Sequence, residues 1–273
     1  FRMEWQKLTD EEFHKFAELI HEISGIFMKD TKITLLSNRL RKRLREKNFS
    51  TFEEYYNYIK KNNDPKELDE MLNVVSTNET YFFRNIKHFE ALVDEIIPRM
   101  IENHRYPIKI WSAGCSTGEE PYTIAILLDE KGLLDKKYVE IYGSDINTKV
   151  LEDAKEGIYD VKKLRTTPEK YILKYFDKTV ENYYALKKNI INSVRFSRVN
   201  LKKDNFANDY DIIFCRNVMI YFDKDDQKLV VDKFYKSLKK GGYLFIGHSE
   251  SLYFINNDFK YLKIGEAPVY YKE

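Results

Sequence analysis

Apolar and polar positions follow a helical period through the first quarter of the chain. Behind Thr9, an N-cap candidate, apolar side chains recur every three or four positions, as expected of an amphipathic helix. Later helical stretches include one with Pro65, which suits a first helical turn. No strand pattern precedes about Ile108. We therefore predict a small all-α domain over residues 1–75, followed by a linker and helix over residues 76–107.

From Ile108 the pattern changes to short apolar strands that alternate with amphipathic helices. This alternation predicts a doubly wound, mostly parallel sheet within residues 108–273. The glycine pair 241–242 is expected to end the helix before the fifth strand. The last two predicted strands are separated only by a tight turn and should form an antiparallel hairpin at one sheet edge. Residues 175–191 are predicted to form a small strand-rich insert. The predicted strands are Ile108–Trp111, Val139–Gly143, Val194–Asn200, Asp211–Cys215, Gly242–Gly247, Tyr261–Ile264 and Val269–Tyr271.

Composition places the chain among ordinary globular proteins. Its 273 residues suffice for one large domain or two modest ones. Two cysteines without zinc-ligand spacing favour a reducing compartment, so we expect a cytoplasmic protein. No apolar run approaches the roughly 20 residues that cross a bilayer. The net charge of +2 does not demand nucleic acid as a partner.

Small and polar residues follow the first four predicted strands, at the edge where a doubly wound sheet binds its ligand. An acidic residue after the second strand can accept the hydroxyls of a ribose. Glycine in the first turn lets the backbone approach a ligand closely, and a carboxylate beside that turn suits a cation better than a pyrophosphate. S-adenosylmethionine has a ribose and positive charge but no phosphate. The residues concerned are Gly114 to Glu119, Asp145, Asn200, Leu201, Arg216, Asn217 and Val218.

Each of these residues also has a structural explanation. A glycine turn before a helix is usually structural. Asp145 could cap the helix that follows it, and Asn200 and Asn217 could close turns. Their joint occurrence at four strand ends favours a binding site.

Several longer motifs occur in order along the chain: "NETYFFRNIKHF", "WSAGCSTGEEPYTIAI", "SDIN", "GIYD", "IIFCRNVMIYFD" and "GGYLFIGHSESL". Together they resemble the chemotaxis-receptor glutamate O-methyltransferases, the CheR family, over nearly the whole chain. The resemblance implies a Rossmann-like, class I S-adenosylmethionine-dependent methyltransferase domain with a C-terminal antiparallel hairpin and a small β insert, preceded by a small all-α domain. It also implies methylation of glutamate side chains on chemoreceptor cytoplasmic helices in chemotactic adaptation, with S-adenosylhomocysteine as product.

The resemblance further implies which residues hold the cofactor. Residues 76–107 would cover it, and Arg84 would face its methionine carboxylate. Asp145 would bind the ribose, and Asn200 and Leu201 would flank the adenine. Asn217 and Val218 would line the methionyl side. The implied cofactor-binding residues are Asn78, Thr80, Arg84, Gly114, Glu119, Asp145, Asn200, Leu201, Asn217 and Val218.

The implied chemistry needs little from the protein beyond positioning. A glutamate carboxylate is ionised at neutral pH, so it needs no general base, and orientation with desolvation can suffice. We expect no catalytic His or Cys pair and no metal, and we expect His248 to be structural. Arg216 and Tyr221 are candidates for orienting the incoming carboxylate, although Tyr221 could instead simply pack under the fourth strand.

Basic residues are concentrated in one predicted helix of the N-terminal domain, at residues 38–48. Such a helix could be a solvated face or bind nucleic acid, but the resemblance favours steering of an acidic receptor region. The insert is short and lacks glycine, which favours independence of a receptor tether peptide. We expect a monomer with no membrane insertion. A nucleic-acid methyltransferase and a cofactor-binding signalling module without turnover stay open as alternatives. The predicted substrate-binding residues are Arg39, Arg41, Lys42, Arg43 and Arg45.

Overall fold

The computed structural model describes residues 7–273, so the first six residues of the predicted helical domain lie outside the described part. The N-terminal region is helical, as predicted. Thr9 forms a capping box with Glu12 at the start of the first helix, which matches its predicted role. Buried Phe16, Leu40 and Tyr55 belong to one apolar core shared by these helices. The helices are α1 (Asp10–Ser24), α2 (Ile33–Lys47), α3 (Phe52–Asn62) and α4 (Pro65–Val75), with a 3-10 turn at Asp30–Lys32.

The segment after α4 leads into a second group of helices. Residues 77–81 form no regular helix or strand, and a turn follows at residues 82–85. A continuous helical stretch follows, and its buried Phe89 and Leu92 share a core with the central sheet. This stretch therefore packs on the sheet. It comprises α5 (Ile86–Glu90), a π-helical turn (Ala91–Ile96) and α6 (Ile97–Glu102).

The strands of the remaining chain are β1 (Ile108–Ala113), β2 (Val139–Asp145), β3 (Ile158–Asp160), β4 (Phe176–Lys178), β5 (Tyr183–Leu186), β6 (Val194–Arg198), β7 (Tyr210–Cys215), β8 (Leu238–Ile246), β9 (Lys260–Ile264) and β10 (Ala267–Tyr271). Seven of them form the central sheet in the order β6-β2-β1-β7-β8-β10-β9. β6, β2, β1, β7 and β8 run parallel, whereas β10 is antiparallel to both β8 and β9. The predicted doubly wound sheet with an antiparallel edge hairpin is confirmed.

Helices cover both faces of this sheet. Neighbouring residues of β1 show the two faces, because Ile110 belongs to one apolar core and Trp111 to the other, as alternation along a strand requires. None of the helices described within residues 7–273 has the length and hydropathy of a membrane-spanning segment. The helices are α7 (Glu119–Glu130), α8 (Thr148–Glu156), α9 (Glu169–Tyr175), α10 (Lys188–Ile191) and α11 (Lys224–Ser237), with 3-10 turns at Val161–Leu164 and Met219–Tyr221.

The glycine pair 241–242 does not end a helix, contrary to the prediction. α11 ends at Ser237, and the pair lies inside β8, where the register with β7 is irregular. A Cβ at Gly242 would lie 2.8 Å from the carbonyl oxygen of Lys239 and 3.0 Å from that of Asp211. The glycines therefore allow two backbone segments to approach closely at a strand irregularity.

The predicted β insert is present as a small antiparallel sheet with the order β3-β5-β4. Two of its strands come from the predicted stretch. The third, β3, comes earlier in the chain, from the "GIYD" motif. Three residues are too few for the strand pattern to be visible in the sequence.

The helical domain is fastened to the sheet domain by polar contacts. The side chain of Asn73 donates to Thr148 Oγ1 at 2.9 Å and accepts the Thr148 N–H at 3.0 Å. On the other side, His21 Nε2 lies 2.9 Å from a carboxylate oxygen of Asp223 and 2.9 Å from one of Asp226. These contacts hold α1 and α4 against the carboxyl edge of the sheet.

Candidate functional site

A cavity of about 710 Å³ lies between the helical domain, the segment after α4 and the carboxyl ends of the central strands. This volume is within the range of small-molecule and cofactor sites. Most residues predicted from the sequence line it. They are Asn78, Thr80, Arg84, Gly114, Asp145, Leu201, Arg216, Asn217, Val218, Tyr221 and Arg39.

Gly114 forms the turn after β1 that brings the backbone to the cavity. Its φ is +77°, and a Cβ there would lie only 2.4 Å from Val218 Cγ2. Its N–H donates to the carbonyl of Ser144 at 2.8 Å. Glycine is therefore required both by the backbone conformation and by the close contact with the turn after β7.

Asp145, the last residue of β2, is held by backbone donors. One carboxylate oxygen accepts the N–H of Ser116, and the other accepts the N–H of Asn147, each at 2.9 Å. Burial raises the pKa of Asp145, and these N–H groups oppose that rise. Asn147 caps α8, so Asp145 does not have the alternative role of N-cap. Each of its oxygens can accept a further hydrogen bond from a ligand hydroxyl.

Of the two consecutive glutamates after β1, Glu120 lies on the cavity wall, whereas the predicted Glu119 does not line it. Glu119 is fully buried away from the cavity, with its carboxylate 2.5 Å from Thr117 Oγ1 and 3.2 Å from Lys163 Nζ. Glu120 lines the cavity. Consecutive residues in an α-helix point about 100° apart, so the first turn of α7 turns only the second glutamate towards the cavity.

Asn200, which is predicted to lie beside the cofactor, is also not among the residues that line the cavity. Its side chain donates to the carbonyl of Ile23 at 2.6 Å and accepts the N–H groups of Lys202 and Lys203 at 3.1 Å. The residue is buried and joins the turn after β6 to the end of α1. Its two neighbours, Val199 and Leu201, line the cavity.

Arg216 is buried, and several acceptors hold its guanidinium group. It donates to Glu120 at 2.7 Å and to the carbonyl of Arg84 at 2.8 Å. A third contact, 3.0 Å long, joins it to His88 Nδ1. Burial and the neighbouring Arg216 charge lower the pKa of His88 to about 3, so His88 is neutral and can accept this hydrogen bond. Arg216 thus fixes the carboxylate of Glu120, which also accepts a hydrogen bond from Ser112 at 2.7 Å.

Tyr221 lies in the 3-10 turn after β7, on the cavity wall. Burial raises the pKa of its hydroxyl, and the charges of Arg84 and Arg39 act against that rise. Tyr221 is only partly buried. Tyr221 therefore lies at the cavity and is not packed entirely beneath β7, the fourth predicted strand.

The basic helix α2 divides into residues with different surroundings. Arg39 lines the cavity and donates to the carbonyl of Val75 at 2.5 Å and to Thr77 Oγ1 at 3.0 Å. Lys42 and Arg45 are exposed. Arg41 is half-buried and donates to the side chain of Asn38 at 2.5 Å.

Arg43 does not face a partner, which corrects its prediction as a substrate-binding residue. It is 6% exposed and donates to both carboxylate oxygens of Glu67, at 3.0 and 2.8 Å. Tyr55 donates to the same carboxylate at 2.8 Å. The sequence shows a run of cationic residues, but one of them, Arg43, forms a buried ion pair with Glu67 inside the helical domain.

Sequence reasoning missed the contribution of the helical domain to the cavity wall. Phe27, Met28 and Leu35 line the cavity, as do the cations Lys32 and Arg165. The available signal was the apolar run "GIFM", which follows the end of α1 and lies outside its helical period. An apolar run in a connection between helices indicates burial against another part of the molecule or a ligand.

Comparison with known proteins agrees with this geometry. The family model described as CheR methyltransferase, SAM binding domain, matches residues 78–267, and the model described as CheR methyltransferase, all-alpha domain, matches residues 11–76. The chemotaxis protein methyltransferase of Borreliella burgdorferi is 38% identical over 254 residues, which cover 90% of this chain and 89% of that protein. Chemotaxis protein methyltransferase 2 of Vibrio cholerae is 35% identical over 270 residues, covering 97% and 94%. The Escherichia coli chemotaxis protein methyltransferase is 37% identical over 250 residues, covering 89% and 85%. The chain belongs to the CheR methyltransferase family and is an S-adenosylmethionine-dependent methyltransferase.

Proposed function

We propose that this enzyme methylates glutamate side chains on the cytoplasmic helical domain of chemoreceptors and forms glutamyl methyl esters. The names of its relatives associate the family with chemotaxis. The observation that carries the proposal is the charge of the cavity, where Arg39, Arg84 and Arg165 are lining residues together with Lys32. Cationic side chains around a cavity favour an anionic acceptor.

The nucleophile fits the lining of the cavity. No histidine is present among the described residues that line it, and its cysteine, Cys115, is buried. Burial, together with the charges of Asp145, Glu120 and Glu119, raises the pKa of the Cys115 thiol well above its usual value. A glutamate carboxylate, with an ordinary pKa of about 4.3, is already ionised at neutral pH. It can act without a general base.

The strand-end wall of the cavity has the groups that S-adenosylmethionine requires. Asp145 would accept the ribose hydroxyls, and the carboxylate of Glu120, in place of Glu119, would face the positive charge of the cofactor. Arg84 would pair with its carboxylate, and Leu201 would contact its adenine. The cofactor supplies an electrophilic methyl group on a sulfonium centre. S-adenosylmethionine has no pyrophosphate, so its site needs no cluster of N–H groups to bind one. Carboxylates beside the first turn are compatible with such a ligand.

The residues on the opposite side would present the acceptor. Arg39 and Tyr221 both line the cavity. They would orient the acceptor carboxylate, while Arg216 would act indirectly because it is engaged with Glu120. Phe27, Met28 and Leu35 would exclude water, which strengthens electrostatic contacts and desolvates the nucleophile. Positioning of an ionised acceptor accounts for the catalysis proposed here.

The exposed part of α2 would guide the receptor. Lys42 and Arg45 point to solvent and would attract an acidic helical surface over a Debye length of about 8 Å at physiological salt. A nucleic acid is less favoured as acceptor, because Arg43 and Lys47 are paired with Glu67. We propose action as a monomer, because one chain supplies both sides of the cavity. The short strands of the insert support independence of a tether peptide.

The test is methyl transfer from radiolabelled S-adenosylmethionine to purified receptor cytoplasmic fragments, followed by mild base. Label that leaves the receptor as methanol is expected, because a glutamyl methyl ester is hydrolysed by base. Base-stable label would contradict the glutamate acceptor. Absence of transfer to receptor, with cofactor binding intact and label on added nucleic acid, would favour the nucleic-acid alternative.

A further inference from the structure

The motif "GHSESL" follows β8 at the sheet edge that carries the cavity, yet residues 247–252 do not line it. Glu250 is the acidic residue of this motif. It is half-buried, and one of its carboxylate oxygens is inaccessible to water. A carboxylate placed beside a binding site without touching it needs an explanation from its contacts.

Glu250 gathers backbone donors from two strand ends. Its Oε2 accepts the N–H of Gly247 at 2.6 Å, just after β8, and the N–H of Asn217 at 3.0 Å, just after β7. Burial raises the pKa of Glu250, and the N–H groups of Met219 and Ile220 oppose that rise together with those of Gly247 and Asn217. A Cβ at Gly247 would lie 2.6 Å from Oε2. Space for the carboxylate is therefore created by a glycine.

The segment held by Glu250 forms part of the cavity. Asn217 and Val218 line it, and so does Tyr221 at the end of the same turn. Asn217 has a φ of +59°, a left-handed conformation that persists in a residue other than glycine only where its surroundings support it. The Asn217 N–H would be unsatisfied without the Glu250 carboxylate. The geometry of this wall thus depends on a residue outside it.

We propose that Glu250 is a positioning residue for methyl transfer, which holds the turn 217–221 so that Asn217, Val218 and Tyr221 face the cavity correctly. The inference rests on the proposed function, since it assigns this turn to cofactor and acceptor. Glu250 touches neither ligand. Its effect is transmitted through the backbone of the turn.

Two substitutions separate charge from size. Glu250→Gln keeps the size of the side chain but offers a single acceptor oxygen and brings an NH₂ group into a cluster of N–H donors. Glu250→Ala removes the acceptor altogether. A hydrogen bond to a charged group contributes about 1.5–3 kcal/mol, or about 10- to 150-fold in an equilibrium constant.

The measurements are calorimetric affinity for S-adenosylhomocysteine and initial rates of methyl transfer to receptor fragments. Glu250→Gln is expected to weaken affinity and lower kcat by about 10-fold, and Glu250→Ala by about 100-fold. Partial retention of affinity and kcat by the glutamine variant would identify the acceptor oxygen of residue 250 as the group that holds the turn. If the alanine variant does not fold, the glutamine variant alone decides the test.

Asp211→Asn provides a matched control. Asp211 is fully buried at the opposite end of β7, where it accepts hydrogen bonds from Arg105 and from the N–H of Lys109. This variant should lose stability but keep the wild-type affinity for S-adenosylhomocysteine. Wild-type affinity and rates in both Glu250 variants would overturn the inference, as would an equal loss of affinity in Asp211→Asn. A wild-type enzyme that binds S-adenosylhomocysteine but transfers no methyl group to receptor fragments would instead refute the proposed function.

Discussion

The two walls of the cavity are built in different ways. The strand-end wall, defined by Gly114, Asp145 and Asn217, is held by backbone hydrogen bonds at the edge of a sheet. The helical wall, defined by Phe27, Leu35 and Arg39, consists of side chains from the α1–α2 region. A wall fixed by backbone suits a ligand that never changes, whereas side chains on helices can differ between enzymes that act on different partners.

The two walls also differ in how far their side chains are exposed to solvent. Asp145 is 8% exposed, whereas Phe27 is 49% exposed although it lines the cavity. Preorganised polar groups bind a cofactor without reorganisation. The exposed apolar surface of the helical wall is typical of a site that a macromolecule covers. We infer that the first wall binds the cofactor and the second receives the receptor.

The largest expected effect is on the integrity of the helical wall. Arg43→Met should lower the free energy of unfolding by about 3–5 kcal/mol, because the buried carboxylate of Glu67 loses its bidentate cation and keeps only Tyr55 and Lys47 as partners. Urea unfolding measures this change in the free energy of unfolding. Arg45→Met, on the exposed side of the same helix, should change stability by less than about 0.5 kcal/mol. Equal stability of the two variants would contradict the internal role of Arg43.

The next effect concerns the strand-end wall. Asp145→Ala should weaken S-adenosylhomocysteine binding by about 2–4 kcal/mol, because the ligand loses an acceptor and two backbone N–H groups lose theirs. This corresponds to about 30- to 1,000-fold in Kd by calorimetry. Asp153→Ala, at a half-buried position on α8 that does not line the cavity, is the control and should bind as the wild type does. Unchanged binding of S-adenosylhomocysteine by Asp145→Ala would contradict the assignment of Asp145 to the ribose hydroxyls.

A smaller, pH-dependent effect tests the ion pair beneath the helical wall. Burial opposes ionisation of Glu67, but hydrogen bonds from Arg43 and Tyr55 outweigh it, so the pKa of Glu67 is lowered. The folded state therefore gains stability from this group above the unfolded pKa of about 4.3, and loses it as the pH falls through the folded value.

The comparison for this test is Glu67→Gln, which cannot titrate. The stability advantage of the wild type over this variant, from urea unfolding at a series of pH values, should shrink below about pH 4.3. An advantage that stays constant down to acid unfolding would show that the carboxylate charge contributes nothing.

The smallest effect belongs to the exposed cations beside the helical wall. Lys42→Ala and Arg45→Ala should each lower kcat/KM for receptor fragments by about 2- to 5-fold at low salt, and by less at high salt, because they act through screened attraction. Affinity for S-adenosylhomocysteine should not change in either variant. A loss that is independent of salt would indicate direct contact instead of steering.

The sequence was sufficient for the sheet and for most of the strand-end wall. Alternation of strands and helices predicts where parallel strands end, and residues such as Asp145 and Asn217 are then placed by topology alone. The position of a strand end does not show in which direction a side chain of the following helical turn points. That direction distinguishes Glu119 from Glu120.

The helical wall depends on contacts between residues far apart in sequence. Arg43 and Glu67 are 24 positions apart, and their pairing follows from how α2 packs on α4 and α3. Phe27 reaches the cavity only because α1 docks beside α11. A run of basic letters cannot show which cation is buried, since local periodicity does not specify tertiary partners.

Arg39→Met tests most directly whether the two walls bind different ligands. Calorimetry with S-adenosylhomocysteine and rates with receptor fragments are measured on the same preparation, with Arg39→Lys as the variant that keeps the charge. Loss of one charge-assisted contact predicts a kcat/KM for the receptor that is at least about 10-fold lower. The Kd for S-adenosylhomocysteine should stay within about 3-fold of the wild type, and Arg39→Lys should recover part of the activity. Normal receptor methylation by Arg39→Met, or an equal loss of cofactor affinity, would contradict the division between the walls.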